Sequence, residues 1–518
     1  MRHTFVRNAA LLAASDLALR LAGMALRIWL AGALGAEGMG LYQLVLAVYS
    51  LFVTLAVSGV SAASTRLMAE ELAAGPARAR GMLARLLAAG AALGCGAMAA
   101  QWALAEPAAR WWLGDARAAG ALRAGAFGLP CMAVAAVLRG FFIARGRVGP
   151  GVASQLAEQA FRAGAMAAAL GLAGPDVGAR CAAVMGATAA GEGLSAVLMA
   201  AFARREAPDA FGHDRAAAPP RAARRLWDIL WPVEGGRCLS GALHTAENML
   251  VPACLTVYLG QRSAAVAQYG VLKGMALPLV NFPFGLLGGV GVLLMPELAR
   301  ARMLGDTRRL QALLGRMLRL TGYISALAGA GFWVWGRPLA MALYGSAEAG
   351  AYLEVLAPAL PLLCLEGMVD AAMKGVGLQK AAFRTGGWDS ALRIAAVALL
   401  LPRWGMRGQL AVILLSSLFT CAANTGRLLA AAQLRPDAGG YLVRPAAAAL
   451  AAGLAGWRLR GLLGPWLAGG RGMQLAALAA GGAGMCAAWL LAAWPLGLGR
   501  ELRAGGRKWE SSGHRAKN

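Results

Sequence analysis

Stretches of about twenty consecutive, mostly apolar residues recur along the whole 518-residue chain, and each is long enough to cross a bilayer. Inside the hydrocarbon every backbone N–H and C=O must find a partner within the protein, so such stretches are expected to be helices. A barrel would show short segments of alternating polarity instead. About fourteen spans fit, near 9–33, 40–62, 83–104, 121–143, 150–173, 179–203, 227–257, 266–295, 314–335, 351–373, 384–402, 408–430, 443–463 and 471–495. The chain therefore reads as an all-α polytopic membrane protein. Only 14% of its residues are charged, too little polar surface for a soluble protein of this length.

The net charge is +25. A nucleic-acid binder would gather that charge on one soluble face. Here it is spread over the connections between apolar spans, so no nucleic-acid partner is expected. With the N-terminus in the cytoplasm, inside segments hold about three times as many Lys and Arg as outside loops, as the positive-inside rule requires. Fourteen spans then return the C-terminus to the same side. Arg458, Arg460 and Arg471 run against this pattern, so the last two spans are the least regular part of the plan. The eight cysteines all fall in apolar stretches without a CxxC pair, and read as small buried hydrophobes. The four histidines do not cluster, and no metal or cofactor is implied.

The longest polar connection, REAPDAFGHDRAAAPPRAARR, separates the sixth span from the seventh. It divides the chain into an N-terminal lobe (1–205), a cytoplasmic linker (206–225), a C-terminal lobe (226–430), and two last helices with a basic cytoplasmic tail (431–518). Sliding the second half back by 230 residues lays AQYGVLKGMALPLVN on EGMGLYQLVLAVYSL and brings Gly270 onto Gly40. Both stretches lead into a mixed basic and acidic exit, STRLMAEELAAG against LMPELARARMLG. Six spans per half make these parallel repeats, of the kind found in transporters.

Charges at membrane depth are costly and usually face a protein interior or a water-filled cavity. Arg20 and Arg27 of the first span lie two helical turns apart and share a face. They suggest the cationic wall of a cavity that holds an anion. Asp16 precedes Arg20 by four residues and can pair with it; Glu158 and Arg162, Asp370 and Lys374, and Asp389 and Arg393 repeat this spacing. Such pairs either serve a transport cavity or only lower the cost of insertion. Glu192, Arg237, Glu247 and Glu366 have no such neighbour. His244 and Glu247 share a face, as a proton relay or as a satisfied pair. Pro278 and Pro283 in MALPLVNFPFGLLGG are each expected to remove a helical hydrogen bond, making a bent gate or a static kink.

No P-loop, nucleotide fingerprint or catalytic triad appears, so the chain does not read as an enzyme. A transporter without an ATPase motif depends on a coupling ion, the membrane potential or facilitated flow.

The opening stretch resembles that of stage V sporulation protein B-like proteins, above all GAEGMGLYQL followed by SGVSAASTRLMAEE. These are oligosaccharide flippases of the multidrug/oligosaccharidyl-lipid/polysaccharide exporter superfamily, related to lipid II flippases. The resemblance implies two related six-helix lobes plus two C-terminal helices around a central cavity that opens alternately to either side. It implies a lipid-linked glycan substrate, such as an undecaprenyl-diphosphate precursor of peptidoglycan, and a place in the bacterial cytoplasmic membrane in cell wall biogenesis or sporulation. Envelope-synthesis enzymes are then candidate partners besides membrane lipids. Arg20 and Arg27 occupy positions comparable to first-helix arginines that serve the diphosphate in the lipid II flippases. Ile28 stands where an acidic residue often follows the second arginine. Arginine suits a diphosphate because its planar fork of donors matches phosphate oxygens. A cation-coupled multidrug extruder of the same superfamily is the first rival reading, and a membrane-embedded glycosyltransferase or polymer ligase the second.

Overall fold

The computed structural model describes residues 2–206, 222–435, 437, 439–499 and 501. All regular structure among them is helical. The elements are α1 (Arg2–Ala74), α2 (Pro76–Pro107), α3 (Ala118–Ala126), α4 (Gly128–Ala144), α5 (Gly149–Leu172), α6 (Val177–Glu206), α7 (Ala222–Leu259), α8 (Arg262–Gly270), α9 (Leu277–Met303), α10 (Thr307–Tyr344), α11 (Ala347–Leu356), α12 (Leu360–Val376), α13 (Gln379–Trp404), α14 (Met406–Ala431), α15 (Arg444–Leu462), α16 (Gly464–Leu467) and α17 (Arg471–Ala493). A π-helical segment, Val271–Ala276, joins α8 to α9.

The expected first hairpin is one long helical run broken at Gly35, whose φ of 70° and ψ of −179° suit a residue without a Cβ. Among the described residues, seven helical stretches are long and apolar enough to cross a membrane, and the first, Ser15–Ala74, has the length for two crossings. The other expected spans are helical too. The molecule is a multi-pass membrane protein by this pattern, and its surface agrees. Leu172, Val257, Trp388, Leu450 and Leu491 are largely exposed, whereas Glu158, Glu192, Glu247 and Asp389 are buried. A water-soluble protein would rarely expose so large an apolar area.

Backbone geometry repeats along the chain. Gly75 and Gly305, Gly114 and Gly345, and Gly146 and Gly377 all have positive φ, at spacings of 230, 231 and 231 residues. Each pair closes the same position in its half. The break between α3 and α4 at Phe127 likewise matches the 3₁₀ turn Ala357–Ala359 between α11 and α12.

Packing divides the chain into two compact units, residues 1–270 and 271–518. In the first, α1 packs against α2, α4, α7 and α8, and α5 against α6. Its core includes Leu67, Met82, Leu83, Phe141 and Phe142. The helices α7 and α8 open the second repeat in sequence, yet they pack in this first unit: the Thr245 hydroxyl donates to the Ala47 carbonyl at 3.0 Å. Most of the inter-lobe linker, residues 207–221, lies outside the described residues. In the second unit, α9, α10, α12 and α14 enclose one core, and α10, α15 and α17 another around Tyr323, Trp335 and Trp489.

Candidate functional site

The first unit gathers its buried charges on α5 and α6. Arg162 of α5 reaches two carboxylates: Glu158, one turn earlier on its own helix, and Glu192 of α6 at 3.1 Å. Helical spacing produces the first contact and packing of α5 on α6 the second. All three groups are largely removed from solvent. Two carboxylates share one guanidinium, so the cluster carries one more acidic group than basic. Beside it, the Ser154 and Ser195 hydroxyls meet at 2.9 Å and tie the same two helices together.

Arg27 and this cluster share a neighbour on α1. Tyr42, past the Gly35 kink, lies within electrostatic reach of both Arg27 and Arg162, and Tyr49 within reach of Glu158, Arg162 and Glu192. Arg27 is exposed and has no ion-pair partner among the described residues. One turn before it, an added Cβ at Gly23 would lie 4.0 Å from the Gln159 amide nitrogen of α5. Arg20 is also exposed, and its Nε donates to Asp16 at 2.8 Å. The two arginines therefore differ: one is neutralised by its own helix and the other is available.

Arg237 and Glu247 lie on α7, which packs on residues 47–54 of α1 through Gly241 and Thr245. Arg237 is exposed and Glu247 is 3% exposed. His244 Nδ1 is 3.8 Å from Glu247 Oε2, too long for a hydrogen bond. In the second unit, Asp370 and Lys374 form the expected pair at 2.5 Å. Glu366 lies against the hydroxyls of Thr420 and Ser417 on α14. Asp389 accepts from the Ser416 hydroxyl at 2.6 Å. Pro283 is inside α9, whereas Pro278 lies in its first turn. The π-helical segment runs into α9 without a break, so each of the two prolines takes one N–H out of a continuous helical run.

Other polar groups of the first unit came from separate parts of the chain. Arg117 pairs with Asp115 at 2.8 Å and Glu37 at 2.7 Å, and so ties the loop after α2 to α1. Burial pushes the Asp115 carboxyl up, but hydrogen bonds from the Arg117 side chain and backbone outweigh it, and the group is held below its ordinary range. Arg225 of α7 joins Glu70 and Glu71 of α1, and Arg78 also reaches Glu71. The last two acids end the STRLMAEE stretch, whose composition was legible but whose partners were not.

Comparison with known proteins fits this geometry. Residues 5–218 match a family described as polysaccharide biosynthesis protein. Stage V sporulation protein B of Bacillus subtilis (strain 168) is 25% identical over 386 residues, 74% of either chain. The resemblance to stage V sporulation protein B-like proteins is borne out. The fold matches that of a lipid II flippase, MurJ, in an inward closed conformation, with a TM-score of 0.71 over 94% of this chain and 98% of that one at 11% identity. It also matches an inward-facing multidrug resistance MATE family transporter of the MOP superfamily, with a TM-score of 0.67 over 82% of this chain and all of that one at 14% identity. The chain thus shares the fold of these transporters.

Proposed function

We propose that this protein is a flippase that carries a lipid-linked oligosaccharide or peptidoglycan precursor, an undecaprenyl-diphosphate sugar, across the bacterial cytoplasmic membrane by alternating access. The observation that carries the reading is Arg27: a guanidinium on the first helix, without an ion-pair partner among the described residues, beside the polar interior of α5 and α6. A diphosphate carries about two negative charges and is matched by arginine donors. Arg20, and Arg237 and Glu247 on α7, are the further substrate-binding candidates. The protein acts as a transporter and not as an enzyme, with both termini in the cytoplasm, and it works beside membrane lipids and envelope-synthesis enzymes. Likeness in fold to a lipid II flippase and in sequence to a sporulation protein supports this reading.

The Glu158–Arg162–Glu192 cluster, with its excess acid, supports a second reading, a cation-coupled multidrug extruder. Asp16, Glu366 and Asp370 are further candidates for coupling, and Pro283 for a gate. Reconstitution in liposomes separates the two. Fluorescent undecaprenyl-diphosphate sugar should change leaflet in wild-type vesicles, read with an impermeant quencher, and Arg27→Ala should slow it by about ten-fold or more, as for loss of one charged hydrogen-bonding group. Arg20→Ala should do less, because Asp16 already engages that side chain. Efflux of a cationic dye driven by an ion gradient, with no movement of any lipid-linked sugar, would establish the extruder instead.

A further inference from the structure

Three parts of the second unit meet in the first half of α10. Arg319 and Tyr323 lie one turn apart on that helix and share a face. The π-helical segment Gly439–Val443 runs into Arg444, the first residue of α15. A second one, Trp494–Leu498, follows α17 and leads to Glu501. Between them lies a cavity of about 200 Å³, lined in part by Arg319, Tyr323, Asp437, Arg444, Gly497 and Glu501. Gly497 has a φ of 123°. A Cβ added there would lie 3.7 Å from both Arg444 Nη1 and the Tyr323 hydroxyl, so these two polar groups converge on the space a side chain would fill.

Most of the polar groups are already engaged. Arg319 Nε donates to the Glu501 carboxylate at 2.6 Å. Asp437 accepts from the Gly440 N–H at 2.8 Å. The Tyr323 hydroxyl donates to the Leu496 carbonyl at 2.8 Å, which leaves its oxygen able to accept. Arg444 is exposed and has no ion-pair partner among the described residues. Apolar side chains border the cavity on the outside: Leu442 and Val443 before Arg444, and Trp494 in the other segment, are exposed. Tryptophan is enriched at the level of the lipid headgroups. In the orientation proposed above, the start of α15 faces the cytoplasmic leaflet.

We propose that this cavity binds the phosphate headgroup of an anionic membrane phospholipid through Arg444 and Arg319, with Glu501 as its built-in competitor. The Arg319–Glu501 pair shows that an oxyanion fits here, and a phosphodiester carries the same charge as the carboxylate it displaces. Basic pockets between membrane helices on the cytoplasmic side suit such headgroups. The site shares no residue with the candidate substrate site, and it does not depend on the transport reading.

Full-length protein in neutral detergent, titrated with phosphatidylglycerol and followed by native mass spectrometry, tests this. Wild type should retain phosphatidylglycerol in preference to phosphatidylcholine, which bears the same phosphate but no net charge. Arg444→Ala should weaken that binding about ten-fold, as for loss of one charged hydrogen-bonding group. Glu501→Gln should strengthen it by a similar factor, because Arg319 is then free to join Arg444; loss of a merely structural contact would not tighten lipid binding. Arg27→Ala should bind as wild type does. Equal affinity in wild type, Arg444→Ala and Glu501→Gln overturns the proposal. Inorganic phosphate that displaces the lipid at equal concentration makes this a free-anion site and overturns the lipid assignment. If Arg444→Ala fails to fold, the Glu501→Gln comparison decides. If both variants shift phosphatidylglycerol binding as expected while no lipid-linked sugar moves in liposomes, the lipid site stands and the flippase reading falls.

Discussion

Arg162 is held by two carboxylates from different helices, and its removal would leave both buried without a counter-charge. Arg162→Met should destabilise the protein by about 3–5 kcal/mol, the usual cost of breaking a buried ionic group. Thermal unfolding in detergent would measure this, and adding Glu158→Gln and Glu192→Gln should recover most of the loss. Asp115 carries a pH signature of opposite character. Its carboxyl is held below the ordinary range in the folded chain, so its contribution is present above the unfolded pKa of about 3.9 and is lost as pH falls through the folded value. Melting temperature should therefore be insensitive to Asp115 ionisation at neutral pH and fall in strong acid. Asp115→Asn should flatten that acid limb while lowering the neutral plateau. An unchanged acid limb in the variant would place the titrating group elsewhere.

At the scale of elements, close packing of α4 on α1 depends on Gly140. A Cβ there would lie 1.9 Å from Ser64 Oγ and 3.0 Å from the Thr65 nitrogen. Gly140→Ala should cost about 1–3 kcal/mol through overpacking. Gly164→Ala on α5, where an added Cβ meets nothing within 4 Å, should be neutral or gain about 0.5–1 kcal/mol of helix stability. The same unfolding measurement tests both. Helix boundaries follow similar local logic. Asp306 caps α10 by accepting from the Arg309 N–H at 2.9 Å, and Ser346 caps α11 by accepting from Ala349.

At the scale of the whole molecule, the charge asymmetry of the connections makes a topological prediction. A cysteine replacing Arg110 should react with an impermeant reagent added to intact cells, whereas one replacing Arg308 should react only after permeabilisation. The reverse pattern would invert the proposed orientation of both termini. Internal duplication shows at this scale as well. The Glu158 and Arg162 pair stands where Asp389 and Arg393 stand in the other half, and the positive-φ glycines mark the same spacing.

Sequence by itself determined the all-helical membrane plan, because spanning length and backbone hydrogen bonding leave an apolar twenty-residue run no other choice. It also determined the pairs within one helix, Asp16–Arg20, Glu158–Arg162 and Asp370–Lys374, because a spacing of four residues brings side chains together wherever the helix lies. The repeat was legible from one ungapped stretch around Gly40 and Gly270. Only the tertiary structure decided which charges meet across helices: Glu192 on Arg162, Glu37 on Arg117, Arg225 on Glu70 and Glu71. It alone put α7 and α8 in the first unit. Local spacing carries no record of which helices pack together; that is set by surfaces such as the bare backbone of Gly140 against Ser64, which show their fit only in contact.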